Sequence, residues 1–275
     1  MTITEAFTRY RDDVIAFRNQ SRKTEENHFV VMKNLVAYFG DIDMSSLTFP
    51  MVRNWKQEMD KSRSPETVRN YIVKLRVVLS YVQLHHDCLD PNQIPIPKRM
   101  DKVPAFLTKE QVAQCINATQ RIKNKAIVSF LYASGIRISE LCSLNRDQLH
   151  DNTFTVVGKG GKARLCFIDQ RTIELLNQYS MTRTDNLAAL FLSDSGKRIT
   201  AGAVQDTFRT IRKQTGLEVH PHTLRHSFAT DLLTNNTNLY YVSKMLGHSS
   251  VQTTQQYLHV VDQDLRAIYA QHHTV

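Results

Sequence analysis

Four of the chain's seven prolines, Pro91, Pro95, Pro97 and Pro104, fall between residues 90 and 105. Each removes a backbone donor and holds φ near about −65°, so this stretch can be neither a helix nor a central strand. It reads as an extended linker over 90–106. The linker divides the 275 residues into an N-terminal part, 1–89, and a larger C-terminal part, 107–275. Each part is long enough to bury a core of its own. No internal repeat or low-complexity tract interrupts either part.

The N-terminal part reads as all-helical. Phe7, Tyr10, Val14 and Phe17 mark one helix; Phe29, Met32, Val36 and Phe39 mark a second, which Gly40 can close. A third runs from about Pro50 to Met59. The clearest spans Ser64 to His86, with Ser64 as N-cap, Pro65 at the first helical position and Glu66 at the positive end of the dipole. Val68, Tyr71, Ile72, Leu75, Val78, Leu79 and Val82 then make one apolar stripe. Seven basic and three acidic residues lie between Arg53 and Arg76. Singly these are solvated helix positions; together they form a surface suited to phosphates.

The C-terminal part mixes helices with a small sheet. Thr108 and Gln111 form a capping box, and Ala126 to Ala133 is strongly apolar and helical. Residues 153–157 (TFTVV) and 163–168 (ARLCFI), separated by GKGGK, read as a hairpin with a glycine-rich turn. A helix follows over about Thr172 to Tyr179, and helices resume after Thr200. The expected fold class is therefore mainly α with a small antiparallel β-sheet, in two domains.

Charge narrows the partner. Thirty-five Lys and Arg against 26 Asp and Glu give +9, which favours a polyanion without specifying one. Cys88, Cys115, Cys142 and Cys166 sit 24 to 27 residues apart, with no CxxC pair. They read as reduced thiols rather than a zinc knuckle or a secreted disulfide framework. The start, MTITEAFTRYRDD, is charged where a signal peptide needs an apolar run, and no apolar stretch approaches a membrane span. A cytoplasmic protein is expected.

Four separated segments hold the unusual residues: SGIRISEL around Arg137, GKGGKAR around Lys162, HTLRH from His222 to His226, and LGH at His248 followed by Tyr257. Taken singly, each has a plain structural explanation. Arg137 suits a helix terminus, Lys162 a solvated turn, His222 a first helical turn with Arg225 paired to an acid, and Tyr257 a helix edge. Their order and spacing are harder to explain that way. Gly135-Ile136-Arg137 with Glu140 and Leu141, then Lys162 in a hairpin, then His222-x-x-Arg225, then Gly247-His248 with Tyr257 nine residues on, resemble the tyrosine recombinase, or phage integrase, family, in its Xer-like form. The resemblance covers nearly the whole chain. It implies a helical, SAM-like core-binding DNA-binding domain over 1–89 and a catalytic domain over 107–275, with catalytic residues Arg137, Lys162, His222, Arg225, His248 and Tyr257.

The chemistry of those residue types fits that reading. A phosphodiester under attack spreads negative charge over its non-bridging oxygens, and arginines hold such oxygens with forked donors that stay charged at any cellular pH. His222 and Arg225, at i and i+3, share one face of a first helical turn, whose positive end favours the same anion. A tyrosine oxygen attacking in line makes a phosphotyrosyl link and frees a 5′-hydroxyl. Lys162 suits the general acid for that leaving oxygen. His248 suits a hydrogen bond to the phosphate, and His222 either deprotonates Tyr257 or positions it. No metal or nucleotide cofactor is needed: G-K-G-G-K lacks Walker spacing, and His222, His226 and His248 lack a cysteine partner for zinc. Glu140 reads as an orienting partner of Arg137, His226 as hydrogen-bonded within the core, and Leu224, Phe228, Leu232 and Leu233 as a core stripe.

The expected partners are double-stranded DNA and further copies of the chain, four of them in synapsis, each clamping duplex between its two domains. Leu265, Ile268 and Tyr269 imply a terminal helix that docks either on a neighbouring subunit or in cis. A separate arm-binding domain is not expected, which leans toward a simple Xer-like or mobile-element system. Two rival readings share parts of the pattern: a type IB topoisomerase-like enzyme, and a regulator that binds DNA without cutting it.

Overall fold

The structure is a computed structural model that describes residues 1–20, 22–99, 105–158, 161–247 and 252–255. The chain forms two compact units, Met1–Lys102 and Val103–Val275.

In the first unit, helix α1 spans Ile3–Tyr10 and opens on a reciprocal cap. The Glu5 N–H donates to Thr2 Oγ1 (3.3 Å), and the Thr2 N–H donates to Glu5 Oε2 (3.0 Å). The chain then widens into a π-helical stretch, Arg11–Ala16. This corrects the expected continuous apolar face. Winding with i→i+5 bonds turns Ile15 inward (3% exposed) and leaves Phe17 in solvent (85% exposed). Helix α2 spans Arg22–Phe39 and stops at Gly40, whose φ of +77° suits only a residue without a Cβ barrier.

Helix α3 spans Phe49–Asp60, and Trp55 Nε1 donates to Asn34 Oδ1 at 2.9 Å, tying α3 to α2. Helix α4 spans Pro65–Val82, with Ser64 Oγ accepting the Thr67 N–H at 3.3 Å. All seven predicted stripe residues of α4 are buried. The helix ends four residues before His86, where the stripe itself runs out and Leu84 is exposed. The proline stretch does not begin as a free linker. Pro91–Gln93 makes a 3₁₀ turn, and Ile94 is buried in the core. Arg76 donates to the carbonyls of Ile94 (3.1 Å) and Asn92 (Oδ1, 3.2 Å), and Arg69 to that of Pro97 (3.2 Å). Residues 100–104 of the predicted linker, Pro104 among them, lie outside the described residues.

In the second unit, α5 (Lys109–Asn117) carries the predicted Thr108–Gln111 cap, and residues 118–121 separate it from α6 (Ile122–Ser134). Ala126, Ile127, Val128, Phe130 and Leu131 are fully buried, so α6 is apolar around its girth and sits at the centre, packed by helices on several sides. Gly135, in the left-handed conformation, ends it, and α7 (Ile138–Ser143) follows at once. Three antiparallel strands come next in the order β1 (Leu149–His150), β2 (Thr153–Val157) and β3 (Ala163–Phe167). Thr155 pairs with Leu165 and Val157 with Ala163, so Phe154, Val156 and Cys166 face the core.

Helices α8 (Gln170–Met181), α9 (Ala201–Thr215), α10 (Pro221–Thr234), α11 (Leu239–Leu246) and α12 (Gln252–Gln255) complete the unit. The architecture is thus mainly α with one small antiparallel sheet, as expected. The four cysteines are free thiols, with Cys115 and Cys166 buried.

Candidate active site

Three chain corners meet where α6 turns into α7, where α10 begins and where α11 ends. The turn at Gly135 leaves little room: a Cβ there would lie 2.3 Å from Phe228 Cδ1 on α10. Arg137 follows as the N-cap residue of α7. Its N–H donates to Glu140 Oε2 at 2.7 Å, and its Nη1 donates to Glu140 Oε1 at 3.0 Å. Its side chain remains 39% exposed, so the guanidinium is oriented yet reachable.

Arg225 sits differently. It lies on α10, three residues past His222, and is 2% exposed. Nη1 donates to the Gly135 carbonyl at 2.7 Å and Nη2 to the Leu246 carbonyl at 2.6 Å. One planar fork therefore joins the end of α6 to the end of α11. Arg137 Nη2 reaches the next carbonyl on α11's exit, Gly247, at 3.5 Å.

His222 occupies the first turn of α10, behind His220 as N-cap and Pro221 as first residue. Its ring meets that of His226 edge-on at 4.2 Å between centroids. One flank stays open to solvent, but protein atoms crowd the ring. That desolvation, and then the charges of Arg225 and Arg137, hold its pKa below the usual histidine range. Arg225 Nη1 holds the Gly135 carbonyl two residues before Arg137, and His222 lies one helical turn before Arg225 on α10. Arg137, His222 and Arg225, 88 positions apart at their extremes, converge.

Sequence reasoning missed a fourth member. Arg164, on β3, places Nη1 on Glu140 Oε1 (2.8 Å) and Nη2 on Glu140 Oε2 (2.7 Å), while its Nε donates to the Met245 carbonyl (2.9 Å). Both partners are buried, with side chains 9% and 8% exposed. Burial alone would raise the Glu140 pKa, but the Arg164 and Arg137 donors outweigh it and hold the carboxyl below its ordinary range. Glu140 is thus an orienting partner, as expected, but of two arginines. The signal was present in strand alternation: Arg164 shares a parity with inward-facing Cys166, and an arginine pointing inward requires an acid. Among the described residues, two guanidiniums, those of Arg137 and Arg164, share the one Glu140 carboxylate, which leaves one positive charge in surplus there.

Lys162 is exposed, immediately before β3, in a hairpin closed by the Gly158 N–H donating to the Lys162 carbonyl at 2.9 Å. His248 and Tyr257 lie outside the described residues, as does the terminal segment with Leu265, Ile268 and Tyr269. Phe228 and Leu232 are partly buried and Leu224 and Leu233 fully so, the core stripe that was expected. Among the described residues no cluster of His, Cys, Asp or Glu is arranged to hold a metal. Chemically, fixed guanidinium donors with an imidazole alongside suit an anion.

Both the sequence and the fold have known relatives. The model of the phage integrase family matches residues 105–264. The chain is 32% identical to the tyrosine recombinase XerD of Listeria innocua, covering 78% of each chain. It is 30% identical to the tyrosine recombinase XerD of Lacticaseibacillus casei, over 93% of this chain and 94% of that one. In fold it superposes on a crystal structure of a lambda integrase dimer bound to a COC′ core site, with a TM-score of 0.78 at 18% identity, covering 94% of this chain and 77% of that one.

Proposed function

The chain belongs to the phage integrase family, and from that premise we infer that it is a tyrosine site-specific recombinase, which cuts and rejoins DNA through a 3′-phosphotyrosyl link. The observation that carries the reading is the meeting of Arg137, Arg225 and His222 at one corner of the second unit.

Arg137 and Arg225 take the non-bridging oxygens of the scissile phosphate, and the positive end of α10 adds to their pull. The Tyr257 oxygen attacks phosphorus as the bond to the 5′ oxygen breaks. Lys162 gives its proton to that leaving oxygen, and His222, neutral because its pKa is depressed, accepts the proton of the phenol. His248, directly after the Gly247 corner, adds a hydrogen bond to the phosphate. The energy of the broken ester stays in the enzyme–DNA link, so a 5′-hydroxyl from another strand reverses the step and seals the new junction. The residues present supply every proton and charge this sequence needs, without metal or nucleotide.

Exchange between two duplexes opens four strands, and one tyrosine per strand calls for four protomers on two sites. The N-terminal helical unit supplies further DNA contacts. Work on DNA implies a cytoplasmic protein, a reading that the bacterial relatives support. Among the described residues no helix is long and apolar enough to cross a membrane.

The test is a nicked duplex carrying a candidate site from the DNA flanking the gene, incubated with chelated metal. Wild type should form a covalent adduct on a denaturing gel. Tyr257→Phe should form none while binding the duplex as before. Relaxation of supercoils without joining of two labelled sites would instead make it a topoisomerase, and binding without adduct a regulator.

A further inference from the structure

Arg164 belongs to none of the steps just described, yet all three of its side-chain nitrogens are bonded. They meet two carboxylate oxygens and one carbonyl, at 2.7 to 2.9 Å, and so tie strand β3 to two other elements: helix α7 through Glu140 and the last turn of α11 through Met245. The fit extends to the next corner. A Cβ on Gly247 would lie 2.8 Å from Arg164 Cδ and 2.9 Å from its Nη1, so the chain passes this close only as glycine.

Strand β3 begins at Ala163, one residue after Lys162. Two residues of strand span roughly 7 Å, so the point where Arg164 is pinned lies about that far along the chain from the lysine. The outer face of the hairpin is in water, with Val157 65% and Leu165 53% exposed. Among the described residues, Gly158 donates to the Lys162 carbonyl at 2.9 Å and Gly161 to that of Gly158 at 3.2 Å, both short-range main-chain bonds. Without Arg164, Glu140 would still hold Arg137 through both of its bonds to that residue. What would come loose is the hairpin that carries the lysine.

We propose that Arg164 is a positioning residue for Lys162: by clamping β3 to Glu140 and to the Met245 carbonyl, it holds the lysine hairpin over the scissile phosphate. The proposal rests on the recombinase reading and on Lys162 as the proton donor. It acts on one step only, protonation of the departing 5′ oxygen. A misplacement of about 1 Å in a reacting group can cost about 10²-fold in rate.

The test uses the nicked duplex above in two forms, one with the ordinary bridging oxygen and one with sulfur at the 5′ bridging position. Sulfur leaves as a thiolate and needs no proton. Arg164→Ala and Arg164→Lys should cleave the oxygen substrate about 10²-fold more slowly than wild type, bind it equally well, and recover to near the wild-type rate on the sulfur substrate. Lys162→Ala should show the same recovery. Arg137→Lys should not, because its loss is in phosphate binding.

Arg164→Lys keeps a cation opposite Glu140 and guards against a variant that simply fails to fold. If folded Arg164→Lys cleaves the oxygen substrate as wild type does, or stays slow on sulfur while Lys162→Ala recovers, the proposal is overturned. If Lys162→Ala itself does not recover, the lysine's role falls and the proposal with it. If wild type forms no adduct, the recombinase reading fails first.

Discussion

Arg225 and Arg137 are alike in the pattern of the sequence and unlike in the structure, and their conservative variants should part accordingly. Arg225 is buried, with both terminal nitrogens on main-chain carbonyls that no lysine could satisfy together. Arg225→Lys should cost about 2 kcal/mol or more in urea denaturation, from carbonyls left unpaired, and should also abolish cleavage. Arg137 is 39% exposed and shares Glu140 with Arg164, so its replacement by lysine should lower the midpoint of unfolding less than Arg225→Lys does. Cleavage by Arg137→Lys should still fall about 10²–10³-fold, the usual cost of removing a fixed donor from a developing oxyanion. Equal unfolding of the two variants would show that the Arg225 fork does not hold α6 and α11 together. Both arginines, with His222, were legible in the sequence because each sits in a motif whose neighbours serve the same purpose: Gly135 turns the chain, Glu140 orients, Pro221 starts the helix. Arg164 was not legible, because beside a glycine-rich turn an arginine reads as solvated. Only its acid, 24 positions earlier, makes it a buried residue.

Among the elements, α1 and α2 hold a group that works against the fold at low pH. His28 lies in α2 at 9% exposure, its ring tilted against those of Tyr10 at 5.2 Å and Phe7 at 6.4 Å, and its Nδ1 has no hydrogen-bond partner among the described residues. Burial, reinforced by the charge of Lys74, depresses its pKa from 6.5 to about 4. In the window between those values the unfolded chain binds a proton that the folded chain refuses, so stability falls as pH drops from 6.5 toward 4. The loss reaches up to about 3 kcal/mol at the acid end. His28→Leu should remove that dependence from the unfolding of the N-terminal unit and raise its stability at pH 5; an unchanged acid limb would place the proton elsewhere. The apolar period of 3.6 residues located α4, and it marked α2 by Met32 and by Phe29, Val36 and Phe39, which are only partly buried beside the fully buried Val31 and Leu35. It failed at Arg11–Ala16, because a π-helical stretch changes the period without changing the composition, and a pattern read at one spacing assigns Phe17 to a core that Ile15 fills.

For the whole molecule, a charge of +9 predicts salt-sensitive DNA binding, but the distribution of that charge decides which residues matter. Seven basic residues between Arg53 and Arg76 read as one surface in the sequence; the structure divides them. Lys56 pairs with Asp60 and Lys61 with Glu58, both at 2.6 Å, so their charges are partly cancelled before any phosphate arrives. Arg69 and Arg76 are committed to the carbonyls of Pro97 and Ile94, and burial lowers the pKa of Lys74. Arg53 and Arg63 remain exposed. If the N-terminal unit contacts the DNA backbone with this stretch, Arg53→Ala and Arg63→Ala should each reduce the slope of log K against log salt by about 0.9, one counterion apiece. Lys56→Ala and Lys61→Ala should reduce it less, since each also frees an acid. Arg69→Ala should instead loosen the chain around Pro97, visible as faster exchange of the Ile96 and Lys98 amides, with little change in slope. Fluorescence titration of one duplex at four salt concentrations separates these outcomes. A uniform reduction across all five variants would mean that the chain's net charge, rather than its placement on α3 and α4, attracts the DNA.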